Sequence, residues 1–347
     1  MLFDVKPIDR KVYVERLAEF LPAEIIDAHT HVWLRSHISA VLSPTSPARA
    51  VTWPNLVAEQ NPIEDLMETY RLMFPGKQVT PVIFGSPRRE VNLDATNAYA
   101  SRAANTYDIP GLLVSTPAWS AAELETRARA GGFRGLKPYL SFAPEHIPSA
   151  EITVFDFLPR AHLDVADAHG WVVVLHVPRP ARLRDPVNLA ALLEIERDFP
   201  DVHLIVAHIG RAYCREDTGE AFEVLGTTSR VCFDVSANTN AWVMAQLLKT
   251  VGPQRVLFGS DLPILRMRMR RICEDGTYIN LVPPSLYGDV SGDAHMREVN
   301  AAEGERLTFF LYEELLAFRE AAEATGLTRA DIEDVFYNNA ARLLGRG

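Results

Sequence analysis

Five residues carry the chemistry of this sequence: His29, His31, His176, His208 and Asp261. The first two close the segment Ile25-Ile26-Asp27-Ala28-His29-Thr30-His31-Val32-Trp33, which reads as a short apolar strand ending in His-x-His. Side chains two apart on a strand share a face, which sets the two imidazoles about 7 Å apart along it. They can then occupy adjacent positions on one metal, with bonds of roughly 2.0–2.1 Å. Taken singly, every one of the five has a plainer reading. His176 and His208 read as satisfied core histidines, and Asp261 as a cap for the segment after it. Taken together, five such residues at one end of four predicted strands point to a metal site. Three imidazoles and a carboxylate suit zinc, with manganese or iron open.

The elements that must position them form a regular series. Short apolar runs fall at Ile25–Trp33, Val79–Gly85, Gly111–Pro117, Phe133–Tyr139, Trp171–Val177, His203–Ile209, Val231–Ala237 and Arg255–Asp261. Several are nearly continuous in Val, Ile and Leu, as parallel strands covered on both faces are. Helical spacing fills the gaps at Ile63–Met73, Leu93–Tyr107, Ala121–Ala130, Phe155–Ala168, Val187–Phe199, Ala212–Leu225 and Ala241–Leu248. Eight strands alternating with helices predict one (β/α)₈ TIM barrel over residues 1–347. A doubly wound open sheet is the competing arrangement, but no Gly-x-Gly-x-x-Gly follows the first strand. Two connections exceed turn length, residues 34–62 (with Pro44, Pro47, Pro54 and Pro62) and residues 263–302. Both leave the C-terminal ends of strands, so both are candidate active-site lids. Residues Arg329–Leu344 read as an extra C-terminal helix.

Composition narrows the function classes. The 347 residues are 48% hydrophobic and 23% charged, the balance of an ordinary globular enzyme. A net charge of −10 argues against a nucleic-acid partner. No apolar run approaches the roughly 20 residues a membrane crossing needs, and residues 1–10 lack the apolar stretch of a secretory signal. Cys214, Cys232 and Cys273 form no CxxC pair and suggest no disulfide framework, which fits a reducing, cytoplasmic setting. Nothing in the sequence fixes the oligomeric state, and a homodimer is the working expectation.

The elements Ile26-Asp27-Ala28-His29-Thr30-His31, Val174-Leu175-His176, Val206-Ala207-His208-Ile209-Gly210, Leu257-Phe258-Gly259-Ser260-Asp261-Leu262-Pro263 and Asn339-Ala340-Ala341-Arg342-Leu343-Leu344-Gly345 span nearly the whole chain. As an ordered set, it resembles the amidohydrolase superfamily, in its amidohydrolase-related (amidohydrolase 2) branch. The resemblance implies a metal-dependent (β/α)₈ enzyme in which His29, His31, His176 and Asp261 hold the ion and His208 binds substrate or moves a proton. Two-metal members carry a carboxylated lysine on strand 4. Here Lys137 in Phe133-Arg134-Gly135-Leu136-Lys137-Pro138 either does that, remains an ammonium that pairs with a substrate carboxylate, or simply packs. A single divalent ion is the expectation.

In the hydrolase reading, water activated at the metal attacks an ester, lactone or amide carbon. Asp261 accepts its proton, and His208 polarises the carbonyl or stabilises the oxyanion. The competing reaction is the metal-dependent, non-oxidative decarboxylation of an aromatic or unsaturated carboxylic acid. A barrel that only binds is the third reading, disfavoured by the intact ligand set. Arg179 and Arg211 follow the histidines of strands 5 and 6, and Arg266, Arg268, Arg270 and Arg271 follow strand 8. These suit recognition of a small carboxylated substrate, though the last four equally suit a solvated face or an ion-paired lid. Trp33, Trp119 and Tyr139 offer an apolar wall or barrel packing.

Overall fold

The computed structural model describes residues 2–38 and 57–345. Eight parallel strands follow one another: β1 Glu24–His31, β2 Gln78–Phe84, β3 Leu113–Ser115, β4 Gly135–Pro138, β5 Val172–Leu175, β6 His203–Val206, β7 Cys232–Asp234 and β8 Val256–Leu257. β1 pairs with β2, and β3 to β8 pair in sequence. Two seams complete the ring. Ile83 bridges Gly111 between β2 and β3. The Ala28 and His31 amides donate to Phe258 O (3.0 Å) and Leu262 O (2.9 Å) between β1 and β8. The sheet therefore closes into the predicted (β/α)₈ barrel, with no free edge.

Alternation along the strands sorts their side chains. Ile26, Ala28, Val82, Phe84, Leu112, Val114, Val172, Val174, Ile205, Ala207, Cys232 and Leu257 fill the barrel interior. Val173, Leu204, Val206 and Phe233 pack outward against the helices. Helices Ile63–Met73, Leu93–Tyr107 and Ala121–Ala130 have the predicted ends. Asn92 and Ser120 cap the latter two by accepting from Ala95 N and Glu123 N, contacts worth about 1 kcal/mol each.

Three expectations change. The predicted helix Ala212–Leu225 survives only as Ala221–Leu225. The chain before it is interrupted at Gly219 (φ 46°), and the Asp217 carboxylate takes the Cys214 N–H at 2.8 Å. The helix expected to start at Phe155 starts at Arg160, immediately after Pro159. The connection 263–302 is not a simple loop. It holds the antiparallel hairpin β9 Arg270–Glu274 and β10 Thr277–Val282, with β11 Met296–Glu298 parallel to β10. The Asp275-Gly276 turn, with φ of 48° and 73°, is the hairpin signal in the sequence. Of the other long connection, residues 39–56, with Pro44, Pro47 and Pro54, lie outside the described residues. Helix Phe310–Thr325, not among the expected elements, buries Phe310, Leu311, Leu315 and Phe318.

The cysteine expectation is overturned. Cys214 and Cys273 form a disulfide, with Cα atoms 5.9 Å apart at a sequence separation of 59. The fold of the β9–β10 hairpin brings together two cysteines that spacing alone does not relate. The cysteines thus give no support to a reducing compartment. Among the described residues, no helix is long and apolar enough to cross a membrane.

The C-terminal helix, Arg329–Leu343 with a π-turn at Asp334–Asn338, closes the barrel floor. Asn339 Nδ2 donates to Pro253 O (2.8 Å) and Val256 O (2.9 Å). Ala340, Ala341 and Leu344 complete the interior layer beneath Ile26 and Leu257.

Candidate metal centre at the barrel mouth

A bulge aims the first histidine. In the β1–β2 register Asp27 faces Pro81 and Thr30 faces Ile83, so Ala28 and His29 together oppose the single residue Val82. Two consecutive side chains therefore turn into the barrel, and His29 and His31 share the inner face with ring centroids 5.5 Å apart. Asp27 points the other way and holds the bulge from behind. Its carboxylate accepts from His29 N (3.2 Å), Ser260 N (2.8 Å) and the Tyr70 hydroxyl (2.8 Å). Burial pushes Asp27 up to about 7 despite these donors.

Three acceptor atoms converge in front of the bulge. His29 Nδ1 lies 2.9 Å from Asp234 Oδ2, and His31 Nδ1 lies 3.3 Å from the Gly85 carbonyl. A carbonyl and a carboxylate only accept, so each Nδ1 carries the proton and each Nε2 presents a lone pair. Burial pulls the His29 imidazole down to about 4, so it is neutral at pH 7. The two Nε2 atoms face Asp261 Oδ1 at 3.6 and 3.2 Å. Two ligands with bonds of about 2.0–2.2 Å at tetrahedral angles stand about 3.3–3.6 Å apart. The donor set and its spacing therefore fit a divalent cation. Burial raises the Asp261 carboxyl, but the close approach of His31, with His208 and His29 beside it, outweighs this and holds the group at about 2.

His208 reaches the cluster by an unusual route. β6 ends at Val206, and His208, Ile209, Gly210 and Arg211 all have positive φ (57°, 49°, 59° and 65°). Such a conformation costs roughly 1–2 kcal/mol per non-glycine residue. Gly210 is required there, because a Cβ would sit 2.5 Å from Leu183 Cδ1. Asp234, at the end of β7, anchors the turn by accepting the His208 N–H at 2.8 Å. His208 Nδ1 contacts Ser236 O (3.1 Å) and Ser236 Oγ (2.9 Å), while that hydroxyl donates to Asp234. His208 therefore also carries its proton on Nδ1 and presents Nε2 as a lone pair. Burial, with Lys137 nearby, keeps its pKa below the usual range against the pull of Asp261 and Asp234.

Asp234 was not singled out in the sequence, where Phe233-Asp234-Val235-Ser236 reads as ordinary strand. The signal was an acid in a strand of otherwise apolar residues, matching Asp261 one strand later. Burial raises Asp234, but His29, His208 and Ser236 reverse this and hold it far below the carboxylate range. His29, His208 and Asp234 form a second group whose ligand atoms lie within 4.8 Å of one another, beside the first group of His29, His31 and Asp261. His176 belongs to neither group. Its ring stands 5.4 Å from that of His208 and 5.1 Å from Tyr139, and its buried Nδ1 has no hydrogen-bond partner among the described residues. An orphaned buried nitrogen beside the cluster is one that a bound cation would satisfy.

Lys137 is fully buried, and its ammonium also lacks a hydrogen-bond partner among the described residues. It sits 5.2 Å from the Phe84 ring and 5.8 Å from Tyr139. Burial pulls it down to about 8, opposed by Asp234 and Asp261. Arg211, half-buried, touches only the carbonyls of Val177, Pro178 and Arg179 at 3.5 Å and has no carboxylate partner among the described residues. Arg179 is instead engaged by Asp185 at 3.2 Å. Of the strand-8 arginines, Arg268 pairs with buried Asp9 at 2.7 Å, Arg266 bonds Asn61, and Arg270 reaches Glu313 at 3.6 Å. Those three are structural ties. Trp33 is buried with its Nε1 on Glu59 O (3.0 Å), and His162 Nε2 reaches Trp119 O (2.8 Å), whereas Tyr139 faces the cluster.

The amidohydrolase family model (Amidohydro_2) matches residues 26–346. The chain belongs to this family. No curated protein sequence matches this amidohydrolase. Solved structures share its fold at low identity. A probable 2-pyrone-4,6-dicarboxylic acid hydrolase from Acinetobacter baumannii, with citric acid bound, is 16% identical at a TM-score of 0.52, covering 92% of this chain and 99% of its own. An amidohydrolase from Burkholderia multivorans with bound zinc is 15% identical at 0.54, covering 93% and 99%. A 2,6-dihydroxybenzoate decarboxylase complexed with 2,6-dihydroxybenzoate is 14% identical at 0.53, covering 94% and 99%. The matched family and these neighbours are enzymes, hydrolases and a decarboxylase among them.

Proposed function

We propose that this amidohydrolase is a metal-dependent hydrolase that adds water to an ester, lactone or amide carbon of a small carboxylated substrate. The observation that carries the reading is the convergence of His29 Nε2, His31 Nε2 and Asp261 Oδ1, with the back of each imidazole already committed to an acceptor. A divalent ion held there by His29, His31 and Asp261, with His176 completing the set, supplies Lewis acidity toward a carbonyl and lowers the pKa of water. Zinc is the proposed ion, given the nitrogen and oxygen donors and the zinc-bound neighbour.

The remaining steps belong to the chain. Asp261, ionised at neutral pH, accepts the proton of the attacking water. His208, neutral with its Nε2 lone pair free, takes that proton from Asp261 and delivers it to the leaving group, which returns both residues to their starting states. This replaces carbonyl polarisation by neutral His208, because its one N–H is already given to Ser236. The Lys137 ammonium and the Arg211 guanidinium pair with the substrate carboxylate, and Tyr139 supplies one wall. The partner in this reading is a small molecule rather than a nucleic acid.

One observation favours a second reaction. The unpartnered Lys137 ammonium lies within electrostatic reach of Asp234 and Asp261, so a carboxylate bound to it sits at the reacting centre. In this second reading that carboxylate is the group lost as CO₂, the reaction type of the decarboxylase neighbour. A zinc-loaded screen of lactones, esters, amides and aromatic acids in ¹⁸O-water separates the two. Label in the product with loss of turnover of about a thousandfold in Asp261→Asn supports hydrolysis. Stoichiometric CO₂ without label overturns it in favour of decarboxylation. Near-normal turnover of a metal-bound Asp261→Asn variant overturns the assignment of Asp261.

A further inference from the structure

We infer that Arg271, on the disulfide-bonded hairpin over the barrel mouth, is a positioning residue that sets the orientation and tautomer of His208. Arg271 lies on β9, where alternation puts it on the same face as Cys273. Its Nε donates to Asn280 Oδ1 across the hairpin (2.9 Å), and its Nη1 donates to the Ala237 carbonyl at the end of β7 (2.5 Å). The guanidinium stacks against Tyr213 (4.4 Å), Tyr278 (4.6 Å) and Phe310 (4.7 Å), which leaves it little freedom to swing away.

What Arg271 grips is the segment that holds His208. Ala237 has φ of 53°, a conformation that alanine rarely adopts unaided. Both sides of this residue are clamped: its N–H goes to buried Glu314 Oε2 at 2.6 Å and its C=O to Arg271. The preceding residue, Ser236, supplies the carbonyl and hydroxyl that take the His208 Nδ1 proton. Release of the Ala237 carbonyl frees the 237–238 peptide and lets Ala237 leave its positive φ, which reorients the adjoining 236–237 peptide and draws the Ser236 carbonyl off the imidazole. The Cys214–Cys273 bond fixes the same hairpin to the residue after Tyr213, so the arginine arrives in one register. Of the relay only Ser236 reaches the three-acceptor cluster, its hydroxyl 3.5 Å from His29 Nδ1, and its shorter contacts of 2.9 and 3.1 Å are to His208, so the effect passes chiefly through His208.

The inference rests on the proton-transfer role of His208 proposed above, and the test keeps the two apart. Zinc-loaded protein carrying ¹⁵N-histidine is compared as wild type, Arg271→Met, Arg271→Lys, His208→Asn and the double variant Arg271→Met/His208→Asn. The expected spectrum of the wild type shows His208 protonated at Nδ1, with loss of that single tautomer in Arg271→Met and recovery in Arg271→Lys. In turnover, Arg271→Met lowers kcat roughly ten- to a hundredfold with KM nearly unchanged. It has no further effect on His208→Asn, since two residues acting as one unit do not add. An unchanged His208 spectrum in folded Arg271→Met, or additive losses in the double variant, overturns the inference and leaves the hydrolase reading intact. A fully active His208→Asn overturns the role of His208 instead, while the spectra still decide whether Arg271 orients it. If Arg271→Met fails to fold, Cys273→Ser, which frees the hairpin without touching the arginine, is read by the same spectrum with the same two outcomes.

Discussion

His29 and Asp234 are joined by one buried hydrogen bond, Nδ1–H to Oδ2 at 2.9 Å, that crosses the barrel mouth from β1 to β7. This bond fixes which nitrogen of His29 faces the cluster. The other Asp234 oxygen holds the His208 backbone at 2.8 Å. One carboxylate thus orients two imidazoles on different strands.

Replacing Asp234 by Asn should therefore disturb metal binding before it disturbs the fold. The amide can donate to Nδ1, which turns the His29 proton onto Nε2, the atom meant for the ion. Loss of such a supporting carboxylate typically weakens metal affinity by about ten- to a hundredfold. Competitive titration with a zinc chelator measures this. Wild-type affinity in Asp234→Asn would show that the carboxylate does not set the tautomer.

Lys137 gives a pH dependence with a definite sign. Its folded-state pKa, lowered by burial to about 8, lies below the ordinary 10.5, so the ammonium persists in the fold only below pH 8. Between about 8 and 10.5 the unfolded chain binds a proton that the fold does not, so this group makes stability rise with pH there. Carboxylate binding runs the opposite way. It requires the ammonium, so kcat/KM should fall as pH rises through about 8. Lys137→Met should raise KM at pH 7 by roughly ten- to a hundredfold, the worth of a charge-assisted hydrogen bond, and flatten that limb. An unchanged limb in Lys137→Met would assign the titration to another group.

The disulfide offers a test of the cap. Closing a loop across 59 residues of separation restricts the unfolded chain by about 4 kcal/mol in the chain-entropy description. Reduction, or Cys214→Ser, should lower the melting temperature by several degrees. Differential scanning calorimetry with and without reductant measures the shift. An identical melting curve would mean that the two cysteines are not bridged in solution.

Much of the barrel could be read from the chain because its signals are local. Runs such as Trp171-Val172-Val173-Val174-Leu175 mark buried parallel strands, and the ends of three helices follow from caps and apolar spacing. The positions of His29, His31 and Asp261 followed from the same logic, since a closed barrel brings its first and last strands together. What escaped depends on contacts distant in sequence. The cap sheet after β8 is short and packs on loops, Cys214 meets Cys273 only through that sheet, and Asp234 shows its role only when β7 stands beside His29 and His208. The strand-8 arginines looked like carboxylate receptors because sequence does not show Asp9 or Asn61 across the fold.

Crystals of the protein as purified, with diffraction collected on both sides of the zinc absorption edge, test the metal centre most directly. One anomalous peak is expected within bonding distance of His29 Nε2, His31 Nε2 and Asp261, absent in a His31→Ala crystal. No peak there at full zinc loading, or a peak held by Asp234 away from His31, contradicts a metal centre built on the paired histidines of β1.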